Sequence, residues 1–290
     1  MSITEIIISY IVPAMIFMGA LGLVLGVVIG VFAKYFKVES DPRVELVTEL
    51  LPGANCSGCG KAGCSDFAKS VVSGENPPGK CPVSSQEQVS SIARALGIDA
   101  GETFARKAVV CCGGDVEQML RTPNYNGVLD CASAVLVAGG PKGCSYGCIG
   151  MGSCARKCPF GAIEIINNLA VVHPELCVGC GTCVAVCPRN VIKLVPADAN
   201  VHVYCNNPEK APDKRKVCKV SCLGCRKCER YSAEKFTVSG FLASVKYDSD
   251  NLPAASDIEA VGCPTGALLT VSRHLEIETN DPENCKDENK

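Results

Sequence analysis

This sequence lacks, or has few of, the residues and motifs that several kinds of active site require. It has no tryptophan, 5% aromatic residues and three scattered histidines (His173, His202 and His274), which are expected to be packed or at the surface. No Ser-His-Asp set, no paired carboxylates and no Gly-x-Gly-x-x-Gly loop after a strand stand out. The net charge of -2 lacks the basic excess of a general nucleic-acid binder. The sequence therefore predicts no catalytic triad, no dinucleotide site and no nucleic-acid partner.

Cysteine is the residue that this 290-residue chain has in excess, with 22 copies. Such a density is typical of a disulfide scaffold, a zinc array or a set of iron–sulfur clusters. The choice between these three decides the function.

An uncharged stretch of aliphatic and small residues runs from 6 to 33 near the N-terminus. It exceeds the roughly 20 apolar residues that a transmembrane helix needs. A cleaved signal peptide is the alternative. It fits less well, because no Lys or Arg precedes the run, the run is too long for the apolar region of a signal, and no A-x-A-like site follows.

The charges beside this stretch predict its orientation. Glu5 precedes it, whereas Lys34, Lys37 and Arg43 follow it. The positive-inside rule then predicts a single-pass anchor in the cell (cytoplasmic) membrane, with everything after about residue 36 on the cytoplasmic side. Because the cytoplasm is reducing, the cysteines are expected to be metal ligands and not disulfides.

Three glycines of the anchor, Gly22, Gly26 and Gly30, recur at every fourth residue and so share one helix face. Such a ridge allows a second helix to approach closely, which predicts a partner helix in the membrane. The alternative is that glycine is simply common in membrane helices.

The strongest motif is Cys177-x2-Cys180-x2-Cys183-x3-Cys187-Pro188. Three cysteines at intervals of three wrap one cubane, while the fourth ligates the other cluster of a pair. Zinc sites prefer cysteine pairs separated by a longer spacer. The spacing therefore predicts [4Fe-4S] clusters.

The partner motif of this pair is irregular. Aligning Cys148–Cys154 with Cys177–Cys183 places Met151 where the middle cysteine belongs. A thioether is a poor substitute for a thiolate at a cubane iron, so Cys144 is predicted to supply the missing ligand. Crossed ligation then gives one cluster on Cys144, Cys148, Cys154 and Cys187, and a second on Cys177, Cys180, Cys183 and Cys158.

The last module is degenerate. It contains the triplet Cys222-x2-Cys225-x2-Cys228, but the residue four beyond Cys228 is Ser232, and no second triplet precedes Cys263-Pro264. Because a second triplet and its fourth ligand are both missing, the module is predicted to have kept one cluster of two. Its ligands would be Cys222, Cys225, Cys228 and Cys263.

A fourth set lies early in the chain, as Cys56-x2-Cys59-x4-Cys64 followed by Cys81-Pro82. Nearby glycines let the backbone fold closely around a cluster. A zinc knuckle is the alternative for this set.

Six cysteines remain outside these sets: Cys111, Cys112, Cys131, Cys205, Cys218 and Cys285. Buried free cysteine is common and needs no function. An extra site on Cys112, Cys131, Cys205 and Cys218 is the alternative, although no local spacing supports it. Four clusters are therefore expected, with a fifth as the alternative.

A basic stretch surrounds the last set, formed by Lys210, Lys214, Arg215, Lys216, Lys219, Arg226, Lys227 and Arg230. Most such runs are solvated loops. The alternative is a docking patch that steers a small acidic electron carrier.

Together these features predict an α+β fold with a single N-terminal transmembrane helix, a small helical 4Fe-4S domain and bacterial dicluster ferredoxin-like modules, the last one degenerate. Helices are expected within 37–51, over 84–107 with Gly97 as a stop, and near 131–137. The predicted segments are an anchor (1–36), a four-Cys domain (37–100), a connector (101–141), a dicluster module (142–197), a single-cluster module (198–275) and a charged tail (276–290).

The whole pattern resembles the B-subunit family of the Rnf complex, a membrane-bound ferredoxin:NAD oxidoreductase that pumps ions. The resemblance lies in the anchor, the Leu-Pro-Gly segment before Cys56, the array ending in Cys187-Pro188, and the Cys112-Gly-Gly and Gly-Gly-Pro-Lys-Gly-Cys144 features. It implies a translocase component without a complete active site of its own. Such a component accepts electrons from soluble ferredoxin and passes them to membrane and peripheral partner subunits that carry flavins and reduce NAD.

Two other functions fit the residues alone. One is a polyferredoxin of another membrane reductase or of a complex that keeps a redox regulator reduced. The other is a zinc-stabilised membrane adaptor without a redox function.

Overall fold

The computed structural model describes residues 12–35, 41–101, 105–120, 125–137, 139–248, 251–272 and 274–275. The chain divides into two units, Met1–Glu45 and Leu46–Lys290. In the first unit, helix α1 (Val12–Tyr35) consists of aliphatic and small residues up to Lys34 in its last turn. Its segment Met15–Phe32 is the one part of the described chain that is long and apolar enough to cross a membrane. The predicted helix is confirmed where it is described, whereas residues 6–11, Glu5 and Lys37 lie outside the described residues.

Short helices surround the first cysteine group. They are α2 (Pro42–Leu50), α3 (Cys64–Val72), a 3-10 turn (Pro78–Lys80) and α4 (Gln86–Leu96). The apolar residues of α3 and α4 recur at helical spacing, and Phe67, Val71, Val89 and Ile92 are almost completely buried. The helix predicted within 37–51 is confirmed by α2.

The ends of α4 follow from its capping residues. The Ser85 hydroxyl accepts a hydrogen bond from the Gln88 N–H at 3.2 Å, and the Gln88 side chain accepts one from the Ser85 N–H at 3.0 Å. Gly97 ends the helix with a left-handed φ of 65°. The predicted stop at Gly97 is confirmed, whereas the helical range 84–107 was too long, because residues 106–107 already belong to a strand.

The described residues in the rest of the second unit contain eight short strands, paired into four antiparallel sheets. Two sheets are hairpins, β2–β3 and β6–β7, and two join distant strands, β1–β4 and β5–β8. Each hairpin lies in sequence between the members of one distant pair. The strands are β1 (Arg106–Val110), β2 (Ile163–Ile166), β3 (Leu169–Val172), β4 (Ile192–Pro196), β5 (Val201–Val203), β6 (Phe236–Ser239), β7 (Leu242–Val245) and β8 (Leu268–Thr270).

The order of the strands relates them to the cysteine motifs. Strands β2, β4 and β8 each follow a Cys-Pro step. Strand β1 lies inside the predicted connector and pairs with β4 from Val110↔Ile192 to Arg106↔Pro196. The connector therefore contributes an edge to the sheet that follows the Cys187-Pro188 step.

Six short helices of the described residues accompany the strands. They are α5 (Cys131–Leu136), α6 (Ser153–Lys157), α7 (Thr182–Val186), α8 (Ala211–Val217), α9 (Lys227–Tyr231) and α10 (Ala255–Val261). Helix α5 confirms the prediction near 131–137. Cysteines are part of the buried cores between these elements, together with Ile163, Leu169 and Ile192 in one core and Phe236 and Ala243 in the other.

Candidate iron–sulfur sites

The triplet Cys177–Cys183 forms the best defined site. Cys158, Cys177, Cys180 and Cys183 line one small pocket with Ala108 and Ile163. The Ala108 N–H donates a hydrogen bond to Cys177 Sγ at 3.3 Å. Burial, and then the nearby Cys177, Cys180 and Cys158 thiolates, raise the pKa of Cys183 to about 12. These four cysteines, the Cys177 site, line one pocket and stay a predicted ligand set.

The loop of this site folds back against a neighbouring strand. Gly179 has a φ of 69°, and a Cβ there would lie within van der Waals contact of the Arg106 carbonyl, 2.8 Å from its carbon. Gly150 and Gly224 occupy the matching positions after Cys148 and Cys222, and both also have positive φ. Their Cβ atoms would collide with the backbone carbonyl groups of Asn168 and Phe241. The same Cys-x-Gly loop therefore recurs three times, each time against a backbone carbonyl.

The last triplet forms a second pocket. Cys225, Cys228 and Cys263 line it together with Ala243 and Val261. The Ala243 N–H points at Cys222 Sγ at 3.5 Å, and the Cys222 thiolate is one of the causes that raise the pKa of Cys228, after burial. Cys222, Cys225, Cys228 and Cys263, the Cys222 site, are therefore neighbours.

The first cysteine group lies on the loop before α3 and on the turn after Pro78–Lys80. The Cys64 N–H donates to the Asn55 side chain at 2.8 Å, which fixes the loop at the start of α3. The pKa of Cys56 is raised by burial and also by the Cys81 thiolate, so these two ends of the group are close. Cys56, Cys59, Cys64 and Cys81, the Cys56 site, stay a predicted ligand set.

The remaining predicted set is distributed differently. Cys148, Cys154 and Cys187 line a pocket together with Cys131, and Cys144 is not part of that lining. Cys144 lies instead beside Gly147 and Cys112. Met151 packs in a small apolar cluster with Cys131 and Ile149. The predicted grouping of Cys144 with Cys148, Cys154 and Cys187 stays a prediction, and the lining of the pocket favours Cys131 as its fourth member.

Two family models match the chain at these sites. Residues 51–83, which include the Cys56 site, match the FeS family of Fe-S cluster proteins. Residues 170–193, which include the Cys177–Cys187 array, match the Fer4 family, described as a 4Fe-4S binding domain. Both matches support iron–sulfur clusters as the cofactor.

The relatives extend this likeness to nearly the whole chain. The chain is 37% identical over 262 residues to the B subunit of the ion-translocating oxidoreductase complex of Methanosarcina acetivorans, which covers 90% of this chain and 98% of the relative. This chain belongs to that B-subunit family. It is also 37% identical to the B subunit of the proton-translocating ferredoxin:NAD(+) oxidoreductase complex of Clostridium ljungdahlii, over 92% of this chain and 95% of the relative. It is 39% identical to the corresponding component of the Na(+)-translocating complex of Acetobacterium woodii, over 80% of this chain and 70% of the relative.

Membership of the B-subunit family confirms the resemblance inferred from the motifs. It makes the chain a component of a translocating oxidoreductase, and it does not favour the polyferredoxin of another reductase or the zinc adaptor. With the candidate membrane span of α1, the family supports association with a membrane.

Charges buried beside the cysteines fit negatively charged clusters. Lys214 is completely buried in this B-family chain, and its ammonium donates to the Cys222 carbonyl at 2.8 Å and to the Phe241 carbonyl at 2.6 Å. Lys142 is 6% exposed and donates to the Gly114 carbonyl at 2.8 Å. A buried ammonium needs a compensating negative charge, and cysteine thiolates carrying a cluster supply one.

The geometry differs from that of a single-ion site. In the described part of the chain, no three His, Cys, Asp or Glu side chains converge on one point where an ion could bind. The cysteines instead line pockets between them, and N–H groups point at Sγ of Cys177 and Cys222, the kind of hydrogen bond that tunes iron–sulfur sites. The donor set, three pockets lined by thiols, fits [4Fe-4S] clusters.

Other predicted features have mixed outcomes. Lys214 is buried and so is not part of a solvated basic stretch, because its ammonium is needed by two carbonyls inside the module. His202 and His274 are packed, as expected, and His202 pairs with the Tyr247 hydroxyl at 2.8 Å. Cys285 and the tail 276–290 lie outside the described residues. No sequence pattern pointed to the buried Lys142 and Lys214, because lysine in a polar stretch usually faces solvent.

Proposed function

We propose that this chain is the electron-transfer component of a membrane-bound, redox-driven ion pump. In this function it accepts electrons from reduced ferredoxin and relays them through [4Fe-4S] clusters to membrane flavin subunits, with NAD reduced on another subunit. Two relatives named as components of ferredoxin:NAD(+) oxidoreductase complexes support the donor and the final acceptor. The observation that carries the relay is that the loops of the Cys56 and Cys177 sites are in direct contact within one unit of the chain.

The loops of the Cys56 and Cys177 sites are in direct contact. A Cβ at Gly58 would lie only 2.7 Å from the Cys180 carbonyl oxygen, so the two loops touch through their backbones. The Thr182 hydroxyl donates to the Cys56 carbonyl at 3.4 Å. Because electron tunnelling falls steeply with distance, this direct contact suits the passage of single electrons between the two sites.

The Cys177 site is in turn close to the pocket that contains Cys154. The Cys183 thiolate is one of the charges that raise the pKa of Cys154, to about 11. Helices α6 and α7, which carry these two cysteines, begin at matching left-handed glycines, Gly152 and Gly181. This pairing supports two clusters held by crossed ligands, as in a dicluster ferredoxin.

We also propose that α1 anchors the chain with its cysteine sites on the cytoplasmic side. Lys34 in the last turn and Arg43 beyond it follow the apolar segment, as the positive-inside rule requires. Gly22, Gly26 and Gly30 share one face of α1, and each would leave a Cβ in open space. That face supports close packing with a helix of a partner subunit.

The donor is proposed to dock beside the Cys222 site. Seven basic residues around that site are exposed, and the Cys225 thiol is itself exposed. An exposed positive patch steers an acidic electron carrier and speeds its encounter. The patch consists of Lys210, Arg215, Lys216, Lys219, Arg226, Lys227 and Arg230.

Mixing reduced ferredoxin with the oxidised, anaerobically purified full-length chain should bleach the visible absorbance of its clusters within a single turnover. The rate should fall as salt is added, because the docking patch is exposed and screened. Reversing two charges, Arg215→Glu with Lys216→Glu, should slow the bleaching by about tenfold or more. Lys69→Glu, an exposed lysine on α3, is the control and should leave the rate unchanged.

Two results would contradict this function. Purified protein that holds zinc and no acid-labile sulfide would remove the clusters altogether. Protein that holds clusters, but is not reduced by ferredoxin and does not co-purify with flavin-bearing membrane subunits, would remove the place in the pump.

The Cys222 site can be tested by itself. Cys263→Ala should remove about four iron atoms per chain and leave the other clusters, since Cys263 is the single fourth ligand of a site without a partner triplet. Iron and sulfide analysis of the purified variant measures this loss. Cys285→Ala, which changes a cysteine assigned to no site, should keep the full iron content. An unchanged iron content in Cys263→Ala would disprove the ligand set.

A further inference from the structure

We propose that Cys112, Cys144, Cys205 and Cys218 form a further [4Fe-4S] site, the Cys218 site, and that Cys131 completes the pocket of Cys148, Cys154 and Cys187. Neither set is contiguous in sequence, and each takes a ligand from the segment 111–131. The inference deepens the proposed function, on which it rests for the identity of the cofactor.

Two glycines show how closely three of these cysteines approach one another. A Cβ built at Gly114 would lie 3.4 Å from Cys218 Sγ and 3.8 Å from Cys112 Sγ. A Cβ built at Gly147 would lie 3.3 Å from Cys112 Sγ and 3.5 Å from the Cys144 Cβ. Cys112 Sγ therefore lies near both Cys144 and Cys218, with a glycine on each side.

Backbone pairing brings the distant segments together. Met119 forms a β-bridge with Cys218, the Leu120 N–H donates to the Val217 carbonyl at 2.8 Å, and the Lys219 N–H donates to the Gln118 carbonyl at 2.9 Å. On the other side, the Gly113 N–H donates to the Tyr204 carbonyl at 3.0 Å. The segment that carries Cys112 is thus fixed against the segments that carry Cys218 and Cys205.

Cys205 is the fourth member. Three thiolates, those of Cys112, Cys205 and Cys144, add to burial in raising the pKa of Cys218 to about 12. N–H groups of Asn207 and Cys222 donate to Cys205 Sγ. Geometry supports the same neighbourhood: Tyr204, next to Cys205, accepts a hydrogen bond from the segment that carries Cys112, and Asn207, two residues after Cys205, approaches Cys144 Sγ at 3.6 Å.

Polar groups support these sulfurs as they support the other sites. The Cys148 N–H points at Cys112 Sγ at 3.4 Å, as the Ala108 N–H does at Cys177. The Asn207 side chain approaches Cys144 Sγ at 3.6 Å. The buried Lys142 ammonium donates to the Gly114 carbonyl at 2.8 Å, so this positive charge lies two residues from Cys112 in the segment that carries it. The site thus has both the hydrogen bonds and the counter-charge of a cluster site.

Cys131 fits the other pocket. Burial is the largest cause of the raised pKa of Cys154, and the nearby Cys131 thiolate is the next largest. The Cys131 N–H donates to the Ser153 hydroxyl at 2.8 Å, and that hydroxyl donates to Asp130 at 2.8 Å. Met151 packs against Cys131, so α5 brings a cysteine to the position where the triplet has a methionine.

The Cys218 site closes a gap in the relay. Cys148, in the pocket with Cys131, donates its N–H to Cys112, and the Cys222 N–H donates to Cys205. The Cys218 site therefore touches its neighbours on both sides. With the Cys218 site, the series of proposed cluster sites is continuous from the Cys222 site to the Cys56 site.

Double replacements in the full-length chain separate the two ligand groupings. We expect about 20 iron atoms per wild-type chain, about 16 after Cys144→Ala and about 12 after Cys144→Ala with Cys154→Ala, because these cysteines belong to different clusters. The double replacement Cys144→Ala with Cys218→Ala should lose no more iron than either single replacement, because both cysteines belong to one cluster. Cys111→Ala, a buried neighbour of Cys112 outside every site, is the control and should keep all the iron.

Electron paramagnetic resonance of the reduced protein gives a second measurement. The signal lost in Cys144→Ala should match the signal lost in Cys218→Ala and differ from that lost in Cys131→Ala. About 16 iron atoms in the wild type, with no iron or signal lost in Cys131→Ala and Cys218→Ala, would overturn this inference and leave the four-cluster relay intact. Absence of sulfide from the wild type would instead overturn the proposed function.

Discussion

Replacement of Gly179 by alanine should prevent the Cys177 site from holding its cluster. The new Cβ would press into the backbone carbonyl of Arg106, whose carbon would lie 2.8 Å away, and β1 is held there by its pairing with β4. The φ of 69° adds strain, because side chains avoid this region. Together these effects are expected to cost more than about 3 kcal/mol, since the loop can relax only by leaving the strand that donates an N–H to Cys177.

Apparent melting temperature and iron content of the purified full-length chain measure this effect. Gly161→Ala is a matched control, because Gly161 has a similar φ of 61° but nothing within 4 Å of the position of its Cβ. It should cost about 1 kcal/mol and keep all the iron. Gly179→Ala should lose about four iron atoms and melt about 10 °C lower. Equal effects of the two replacements would show that the collision with Arg106 is unimportant.

The cysteine spacing predicts ligand sets that come from one motif and its Cys-Pro partner, and these sets stay predictions. Cys177, Cys180, Cys183 and Cys158 share a pocket because three of them lie on one tight loop. A regular triplet restricts its own geometry, and no distant segment is needed to complete it except the paired cysteine. The short helices and the strands after Cys-Pro steps were predictable for the same reason, since they depend on local patterns.

Cys144 shows which contacts the spacing leaves out. It lies four residues before Cys148 in the sequence and is therefore grouped with it, and that grouping stays a prediction. In the fold, Cys112 lies near both Cys144 and Cys218. The pairing of Met119 with Cys218 determines that arrangement, and no spacing within either segment indicates it. Cys131 likewise reaches Cys154 through a helix outside the motif.

The recurring Cys-x-Gly step was an available signal. Gly150, Gly179 and Gly224 stand two residues after Cys148, Cys177 and Cys222, and a close backbone approach explains all three. At the next left-handed position the third copy has Arg226 instead of glycine, with a φ of 59°. The degenerate module therefore keeps the backbone of the loop although its sequence has diverged.

Replacement of Lys214 by methionine should lower the reduction potential of the Cys222 site by on the order of 100 mV. The ammonium is completely buried on α8 and donates to the carbonyl groups of Cys222 and Phe241, so it lies close to the cysteines of this site. A unit charge at about 6 Å and an effective dielectric constant of about 20 contributes about 2 to 3 kcal/mol. Reduction adds a negative charge, which this positive charge stabilises. Its removal therefore makes the site harder to reduce, by about 59 mV for each tenfold change in a one-electron equilibrium.

Redox titration followed by electron paramagnetic resonance measures this potential in the full-length chain. Lys216→Met is the matched control on the same helix, because the Lys216 side chain is 72% exposed and pairs with Asp213 at 3.0 Å. Solvent screens that exposed charge, so the potential should change little in the control. Lys214→Met should also lower the melting temperature, because two buried carbonyls lose their donor at about 1 to 3 kcal/mol each. A lower melting temperature with an unchanged reduction potential would show that Lys214 stabilises the fold and does not set the potential. A shift confined to the Cys222 signal would identify the Lys214 ammonium as the counter-charge that sets the potential of the site beside which the donor is proposed to dock.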